Sequence, residues 1–329
     1  MGGLSEMEVQ RIRDAFPADV RVLVTGANGF VGGHLLQTLN AADIRPFAVF
    51  RPGEQTTLGT DAEWLSCDLT GAGAADSLIR DLRPQYVFHL AAKLSAQRSW
   101  EFAEESTEIN FCAGNRLMIA LGMHAPELRR MVLLGSAEEY GNSPSLPVHE
   151  DTPVHPVSPY SVAKAAASRF AQLYAELFHF PVCILRPFIL YGPGQSGNMM
   201  IPQLILAALR GEDFPMTKGE QTRDFVYVSD AVHCILLAAI TSAAEGQVFN
   251  ICSGMEYSIR DVAGRIMRMM QPEMELLPGA LPYRQNEVWR IVGSYEKARK
   301  LLNWNPTTDL EQGLTNTIEW YRNNYTARA

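Results

Sequence analysis

The stretch "VLVTGANGFVG" at residues 22–32 constrains the fold more than any other part of this 329-residue chain. An apolar, β-branched run meets three glycines spaced three apart, Gly26, Gly29 and Gly32, and then a segment with apolar residues at helical spacing. A strand that turns directly into a helix presents the free N–H groups of the helix start to a ligand. We therefore predict a strand–turn–helix unit that can seat an anion at its turn.

Each glycine has a separate reason to be there. The first permits the tight turn, the second lets the backbone approach a phosphate, and the third lets the helix pack close to the strand. A tight turn without a ligand is the alternative, but the strand–helix alternation around it favours dinucleotide binding. The predicted loop contacts are Gly26, Asn28, Gly29, Phe30, Val31 and Gly32.

Strand and helix patterns alternate from about residue 20 to residue 190. This predicts the α/β class, as a Rossmann-type doubly wound parallel sheet with helices on both faces. Ligands of such sheets bind at the edge formed by the carboxyl ends of the strands. The predicted strands are 20–25, 45–50, 65–68, 85–91, 130–135 and 181–186, and the predicted helices are 32–40, 74–81, 102–122 and 158–178.

After residue 190 the pattern becomes mixed, with loops, short strands and helices, and one further sheet strand in "QVFNICSG". We predict that residues 18–188, with about 226–252, form the dinucleotide-binding domain. Residues 189–225 and 253–329 are predicted to form a smaller, mixed α/β domain that binds substrate. A chain of 329 residues is longer than one compact core usually holds, which agrees with this division.

The composition excludes several classes of partner. Hydrophobic residues make up 47% and charged residues 19%, as in ordinary globular proteins. A formal net charge of −8 argues against nucleic acid, because its binders normally present a basic face. No stretch approaches the ~18 to 20 apolar residues that a membrane-spanning helix needs, so no membrane partner is expected.

Five cysteines occur at positions 67, 112, 183, 234 and 252, an odd number with no C-x-x-C spacing. We interpret them as reduced, buried thiols rather than as a disulfide framework or a catalytic thiol. The first residues, "MGGLSEMEVQRIRDAF", lack the apolar core of a secretory signal. The sequence thus predicts a cytoplasmic protein, and we expect no metal site.

The cofactor is indicated by the end of the second predicted strand, "FAVFRPG". NAD-selective sites place an acid here, to bond the adenosine ribose, but this chain has Arg51. A guanidinium favours a 2′-phosphate, so NADP(H) is preferred and NAD(H) remains possible; a solvated loop arginine is the alternative. Asp68, after the third strand, either accepts from the adenine amino group or caps a helix.

"SPYSVAK" places Tyr160 four residues before Lys164, on one face of a predicted helix. A phenol with a pKa near ~10 exchanges protons poorly at neutral pH. A nearby ammonium is expected to lower that pKa. Ser136, after the strand in "LLGSAEEYG", supplies a hydroxyl for a substrate oxygen.

Together these motifs resemble one family across nearly the whole chain. The pattern T-G-x-x-G-F-x-G, then H-L-A-A, then a Ser followed by E-x-Y-G, then Y-x-x-x-K, is similar to the extended short-chain dehydrogenase/reductases that act on nucleotide sugars. The likeness continues through "YGPGQ", "QTRDFVYVSDAV", "NICSG" and "LLNWNP". The resemblance implies that Ser136, Tyr160 and Lys164 form the catalytic core.

The resemblance also implies the other contacts. Arg223 of the "RDF" motif would meet the substrate diphosphate or ribose, and Arg284 and Glu287 of "RQNEV" a nucleotide ribose; surface ion pairs are the alternative. Further expected cofactor contacts, besides Arg51, Asp68, Tyr160 and Lys164, are Leu69, Leu90, Ala91, Ala92, Lys93 and Pro187. Further expected substrate contacts, besides Ser136, Tyr160, Arg223, Arg284 and Glu287, are Lys93, Ser95, Ala137, Glu138 and Ile189.

The reaction depends on departures from the family pattern. Members run 4-epimerisation, 4,6-dehydration or 4-keto reduction. Glucose-nucleotide dehydratases carry an Asp–Glu pair where this chain has Ala137 and Glu138, and mannose-nucleotide dehydratases keep only the Glu. Glu138 is therefore a further catalytic candidate, with a polar wall residue as the alternative. Ile189 stands where many relatives have a sugar-contacting Asn.

"AAKLSAQRSW", "GSAEEYG" and "IVGSYEKARKLLNW" resemble the GDP-4-keto-6-deoxymannose reductases, with Ser294 standing where most relatives have an Asp. The favoured function is thus NAD(P)H-dependent reduction of a 4-keto-6-deoxy nucleotide sugar, with a GDP-linked substrate. A 4-epimerase or a 4,6-dehydratase is the alternative, and a non-catalytic NADP-binding protein ranks below both. The family also implies a homodimer through a four-helix bundle formed by helices 102–122 and 158–178.

Overall fold

The computed structural model describes residues 5–17, 19–54, 59–95 and 97–325. Its strands, in chain order, are β1 (Val22–Thr25), β2 (Phe47–Phe50), β3 (Glu63–Ser66), β4 (Tyr86–His89), β5 (Arg130–Leu134), β6 (Val182–Pro187), β7 (Ile189–Tyr191), β8 (Phe214–Met216), β9 (Thr222–Arg223), β10 (Phe225–Tyr227), β11 (Val248–Ile251), β12 (Tyr257–Ser258) and β13 (Leu276–Pro278). Its helices are α1 (Glu6–Ala15), α2 (Phe30–Ala41), α3 (Ala74–Leu82), α4 (Trp100–Thr107), α5 (Ala113–His124), α6 (Pro159–Phe178), α7 (Met200–Arg210), α8 (Val228–Ile240), α9 (Ile259–Met270), α10 (Glu296–Leu302) and α11 (Leu310–Tyr325).

Seven strands form the central sheet, in the order β11-β6-β5-β4-β1-β2-β3, and every neighbouring pair is parallel. The order reverses on either side of β1, as the doubly wound prediction requires, which confirms the fold class. The residues of β1 and β4 are all buried, because both faces of the sheet are covered. One apolar core includes α2 and α8 on one face, and another includes α3 and α5 on the other.

The remaining strands pair in small sheets: β10 with β7, β12 with β9, and β13 with β8. They pack with α7, α9 and α11 around a third core, whose most buried side chains include Leu204, Ile205, Val262 and Leu314. Strand β11 then returns to the edge of the central sheet beside β6. The chain thus crosses between the two regions several times, and a cleft lies where the strand ends of the central sheet face the third core.

The structure corrects several predicted elements. The helix predicted over 102–122 runs from Trp100 to His124 and contains a π-helical turn at Glu108–Cys112. Between β13 and α11 the chain forms the short helix α10, which the sequence analysis did not locate. A capping box at Ser5 begins α1, and the helix is anchored by Ile12, which is buried in the core.

The structure bears on two of the predictions, one about membrane-spanning helices and one about the cysteines. Within the residues described, no helix combines the length and the apolar character that crossing a membrane requires. All five cysteines are free thiols, as predicted. Three are buried, whereas Cys67 and Cys112 are only partly so, and the prediction of five buried thiols is therefore wrong for these two.

Candidate active site

The glycine loop between β1 and α2 has the shape that its spacing predicts. Gly26 adopts φ +69°, and a Cβ there would lie 2.6 Å from the backbone nitrogen of Ala91. A Cβ on Gly32 would overlap the carbonyl oxygen of Gly26. Gly29 is the N-cap of α2, with no side chain to cap the helix. The first turn of α2 therefore offers its N–H groups to an anion at the carboxyl edge of the sheet.

A cavity of about 310 Å³ opens beside this loop. Nine predicted cofactor contacts line it: Gly26, Asn28, Gly29, Arg51, Asp68, Leu69, Leu90, Ala91 and Ala92. Other lining residues were missed, because nothing in their own sequence pattern marks them: Thr25, Val49, Phe50, Glu54, Cys67, Thr70, Ile109 and Ala113. The glycine cradle and this cavity, whose lining is partly polar and partly apolar, fit the adenosine and pyrophosphate of a dinucleotide.

Arg51 and Asp68 meet at one side of this cavity, and the Arg51 charge helps to lower the pKa of Asp68. The larger causes of that lowered pKa are the hydrogen bonds that Asp68 accepts from the backbone N–H and the hydroxyl of Thr70, at 3.0 and 2.8 Å. Asp68 therefore closes a local turn, whereas the capping alternative predicted a helix cap; the N-cap of α3 is Gly73. Glu54 lines the same cavity and brings a second carboxylate near Arg51.

Tyr160 and Lys164 are placed by the start of α6. Ser158 caps the helix by accepting from the N–H of Ser161 at 3.1 Å, and Pro159 occupies the first turn. The i,i+4 spacing then puts Tyr160 and Lys164 on one face, and both are buried. The Lys164 ammonium donates to the carbonyl oxygen of Leu134, at the end of β5, over 2.6 Å.

The pKa of Tyr160 moves opposite to the prediction. Burial raises it, the charges of Glu138 and Glu139 raise it further, and a hydrogen bond with the Ser136 hydroxyl lowers it in part. The expected lowering by the Lys164 ammonium is therefore wrong for the arrangement that the structure shows. Burial lowers the pKa of Lys164 to about 8, and the Glu139 charge opposes this lowering.

Ser136 lies where β5 ends. Its hydroxyl caps a short 3-10 turn, Ala137–Tyr140, by accepting from the N–H of Glu138 at 3.1 Å. The same hydroxyl reaches Tyr160, so the predicted serine and tyrosine are in contact. Ala137 is buried and presents only a methyl group where an acid would be needed for glucose-type dehydration.

The end of the cleft where the resemblance predicts the substrate, called the substrate end below, is a cluster of opposite charges. Arg223 donates to Glu287 over 2.6 Å, and its other terminal nitrogen donates to the Val288 carbonyl oxygen at 2.6 Å. Burial raises the pKa of Glu138, while the charges of Arg223, Arg284 and Arg98 lower it in part. Three guanidinium groups therefore lie around the Glu138 carboxyl, which is an arrangement suited to a polyanionic ligand.

Arg98 was not predicted, and it joins the two regions. Its Nε donates to the carbonyl oxygen of Gln285 at 2.8 Å, and Nη2 to that of Asn286 at 3.4 Å. Asn142 holds the same loop, donating to the Glu287 carbonyl oxygen and accepting from the Trp289 N–H, both at 2.9 Å. The loop that carries Arg284 and Glu287 is thus fastened to the central sheet region at two points.

Other predicted residues lie near the cleft but are engaged locally. The Lys93 ammonium forms an ion pair with Glu105 of α4. Ser95 accepts from the N–H of Gln97 at 3.1 Å, within its own loop. Ile189 begins β7 and is partly exposed. Four predicted cofactor contacts are not among the residues that line the cavity. They are Pro187, at the end of β6, and Phe30, Val31 and Gly32, in the first turn of α2.

Chemically, the cleft offers a phenol, an ammonium and a hydroxyl within one buried group, next to a dinucleotide-shaped cavity. His89 lies near this group, and its Nδ1 forms a hydrogen bond with the Thr25 hydroxyl at 2.7 Å. Burial, and to a smaller extent the Lys164 charge, lowers the pKa of His89 to about 3. Among the residues described, no three His, Cys, Asp or Glu side chains gather to hold a metal ion.

Comparisons with known proteins agree with this geometry. Residues 22–252 match the model of the NAD-dependent epimerase/dehydratase family. A UDP-glucose 4-epimerase of Mycolicibacterium smegmatis is 30% identical over 327 residues, covering 92% of this chain and 99% of that protein. A dTDP-D-glucose 4,6-dehydratase of Bos taurus is 28% identical, covering 93% and 89%. The solved structure of MoeE5 in complex with UDP-glucose and NAD is 32% identical, with a TM-score of 0.82, covering 93% and 99%.

Proposed function

Since the chain belongs to the NAD-dependent epimerase/dehydratase family, we propose that it transfers a hydride between a nicotinamide cofactor and C4 of a nucleotide sugar. Its net reaction, in this proposal, is reduction of a 4-keto-6-deoxy nucleotide sugar. The observation that carries the proposal is the contact of Tyr160 with Ser136 beside the glycine cradle, with Lys164 one helical turn away. A bound nicotinamide cofactor would supply the hydride.

The residues of this chain divide the remaining work. Tyr160 gives the proton to the substrate oxygen, and Ser136 donates a hydrogen bond to the same oxygen. The raised pKa of Tyr160 keeps the phenol protonated at neutral pH, which is the state that a proton donor needs. Lys164, in this proposal, holds the nicotinamide ribose and stabilises the phenolate as it forms.

The charged end of the cleft takes the diphosphate. Arg223 and Arg284 bind its oxygens, and Arg98 keeps the loop of Arg284 in place through the carbonyl oxygens of Gln285 and Asn286. Ala137 and Ile189 leave apolar surface in the family positions for an acid and an amide. An apolar surface there favours a sugar that has already lost its C6 hydroxyl.

For the cofactor, Arg51 at the adenosine cavity supports NADP(H) over NAD(H). MoeE5, by contrast, was solved with NAD, and Glu54 in the same cavity supports NAD(H) as the second choice. A GDP-linked sugar is preferred on the resemblance to the mannose-type reductases, whereas the MoeE5 complex contains UDP-glucose. Thermal shifts with GDP, UDP, dTDP and CDP, each with NADP+ present, rank the bases by affinity.

The second candidate is 4-epimerisation, favoured by the 30% identity to a UDP-glucose 4-epimerase over nearly the whole of both chains. An epimerase returns its hydride and consumes no net cofactor. Dehydration of a glucose nucleotide ranks lower, because Ala137 supplies no acid beside Glu138. A non-catalytic role ranks lowest, since Tyr160 and Lys164 are both present and positioned.

One experiment separates these functions. NADPH absorbance is followed with a 4-keto-6-deoxy sugar nucleotide, and a UDP-hexose is assayed in parallel for product without net NADPH loss. Stoichiometric NADPH consumption supports the reductase, and product without consumption supports the epimerase. Tyr160→Phe is expected to lower the rate about 10²- to 10⁴-fold, as for loss of a general acid. A variant with full turnover would overturn the assignment of Tyr160.

We further propose a cytoplasmic homodimer. Apolar side chains on α5 and α6 are exposed in the single chain: Ile119, Met123, Val162, Phe170, Leu177 and Phe178. Two such helix pairs from two copies would cover them as a four-helix bundle. Light scattering at micromolar concentration is expected to give the mass of two chains, and a monomer there would refute the dimer.

A further inference from the structure

We propose that Glu139, a carboxylate sealed beneath the candidate active site, is a positioning residue that holds Ser136 in place and provides the negative charge that Lys164 faces. The inference rests on the proposed function, because it concerns the same serine, tyrosine and lysine. Neither the sequence motifs nor the charged substrate end of the cleft assigned Glu139 any part. It reaches no ligand itself and acts only through its neighbours.

Both oxygens of Glu139 are occupied. Oε1 accepts from the backbone N–H of Ser136 and from the hydroxyl of Ser168, each at 2.9 Å. Oε2 accepts from Nε of Arg186 at 2.9 Å. The side chain has no solvent exposure. A carboxylate held by three donors and shielded from solvent has a fixed position, and it fixes the backbone of Ser136 in turn.

The end of β5 is shaped to admit this carboxylate. A Cβ on Gly135 would lie 2.5 Å from Oε1 of Glu139 and 3.1 Å from the hydroxyl oxygen of Ser168. Glycine is therefore required there by the buried acid. Leu134, directly before it, accepts from the Lys164 ammonium. The two residues that precede Ser136 thus contact the acid on one side and the lysine on the other.

The charges around Glu139 are arranged in two directions. Away from the cleft, Arg186 pairs with it and also donates to the Tyr140 hydroxyl at 3.0 Å and the Glu150 carbonyl oxygen at 3.3 Å. The Tyr140 hydroxyl donates onward to Asn250 over 2.7 Å. These contacts hold the guanidinium at Oε2 of Glu139, whereas the Ser136 N–H and the Ser168 hydroxyl occupy Oε1.

Toward the cleft, Glu139 acts on Lys164 and Tyr160. Burial lowers the pKa of Lys164, and the negative charge of Glu139 raises it again in part. The groups that face Lys164 are Tyr160 on its own helix, His89 at the end of β4, and Glu139. His89 is neutral, because its pKa lies near 3. The lysine therefore relies on Glu139 for its counter-charge.

Stability alone does not account for this pair. A buried Arg–Glu pair loses hydration that its mutual attraction only partly returns, and apolar side chains of similar volume often serve as well. The 3-10 turn that carries Glu139 also carries Ser136 at its cap and Glu138 in the substrate cluster. One short turn thus joins the proton-handling group to the diphosphate end of the cleft.

The test uses Glu139→Gln, which removes the charge and keeps an oxygen for the Ser136 N–H. Lysine side chains labelled with ¹³C at Cε are titrated by NMR in the full-length protein without cofactor or substrate. Only five positions report: Lys93, Lys164, Lys218, Lys297 and Lys300. We expect the midpoint of Lys164 to fall by about half a unit or more in the variant, since an opposite charge has been withdrawn. An unchanged midpoint overturns the proposal.

Ser168→Ala is the matched control, because it removes one hydrogen bond from the same carboxylate oxygen but no charge. It is expected to leave the Lys164 midpoint in place; an equal fall in both variants would assign the effect to packing and overturn the proposal. If Glu139→Gln does not fold with Arg186 left unpaired, Glu139→Gln/Arg186→Met removes both charges. The midpoint is expected to fall there too.

The kinetic readout is the alkaline limb of kcat/KM against pH. In Glu139→Gln this limb is expected to move to lower pH by the same half unit, which lowers the rate about threefold at pH values well above the midpoint. A lower rate with an unmoved limb would indicate a merely structural role and would count against the proposal. A shifted NMR midpoint in a protein that reduces no 4-keto sugar nucleotide would instead remove the proposed function and leave the charge role of Glu139 standing.

Discussion

The cofactor end of the cleft is shaped by backbone, whereas the substrate end is held together by charged side chains. At the first end, Gly26, Gly29 and Gly32 leave room that any Cβ would restrict, within one 11-residue stretch. At the other, Arg98 and Arg223 reach partners in the loop of Glu287 from distant parts of the chain. The first end is formed by local sequence and the second by tertiary pairing. Changes at the two should therefore differ in size and in kind.

The largest effect is expected from Gly26→Ala. The substitution forces alanine to φ +69° and brings its Cβ to 2.6 Å from the nitrogen of Ala91. Strain of about 1–3 kcal/mol together with this overlap should weaken NAD(P)H binding about a hundredfold. Fluorescence titration with NADPH measures it.

Gly59→Ala is the control, because that glycine is not in the left-handed φ region and has no neighbour within 4 Å of an added Cβ. It should bind NADPH as the parent protein does. If Gly26→Ala also binds normally, the backbone does not shape this end of the cleft, and the contrast between the two ends fails.

The next largest effect is expected from Arg223→Met at the substrate end. The change leaves the Glu287 carboxylate buried without its partner and removes the proposed diphosphate donor, and losses of about 2–5 kcal/mol are typical of such pairs. KM for the nucleotide sugar should rise about 30-fold or more, while NADPH affinity stays constant. Steady-state kinetics and NADPH titration measure the two separately.

Arg290→Met is the matched comparison. Arg290 also bonds a glutamate, Glu256, through two nitrogens, but the pair is exposed. An exposed pair contributes little, so KM should change less than about twofold. Equal effects of the two substitutions would show that burial at Arg223 is not what matters.

The same contrast explains why the sequence predicts the cofactor end of the cleft better than the substrate end. The glycine loop, and the Tyr160–Lys164 spacing on α6, are readable because the residues of each motif lie within one or two turns of chain of one another. Arg98 was missed because its acceptor, Gln285, lies 187 positions away. Glu139 was missed because its neighbours come from β6 and α6, and a glutamate after a strand carries no signal of burial. The direction of the Tyr160 pKa failed likewise, since it depends on enclosure rather than on spacing.

The next prediction concerns Lys164, between the two ends, and the pH dependence of activity and stability that it causes. Lys164 has a pKa near 8 because burial disfavours its charge, so kcat/KM should fall about tenfold per pH unit above that value as the ammonium is lost. Stability should respond in the opposite sense. A lysine whose folded pKa lies below its unfolded value stabilises the fold fully above the unfolded pKa, near 10.5, and loses that contribution as pH falls through about 8.

Lys164→Arg tests the assignment, because a guanidinium keeps its charge throughout this range. Its residual rate should be lower but without the alkaline limb near pH 8. If the limb persists in this variant, another group is responsible for it, and Lys164 is not the titrating residue that links the two ends.

The smallest effect is expected from Arg98→Met, which tests whether side-chain pairing at the substrate end is shared among several contacts. Arg98 bonds two backbone carbonyls of the 285–286 loop, and Asn142 independently holds the same loop at Glu287 and Trp289. Losing one of two fastenings should raise KM about three- to fivefold, close to 1 kcal/mol.

Asn142→Ala should raise KM by the same factor. The double variant should lose more binding free energy than the sum of the two single losses, because the loop is then free and Arg284 with it. Strict additivity would mean that each contact acts alone, and the substrate end would then be as local in its construction as the glycine loop.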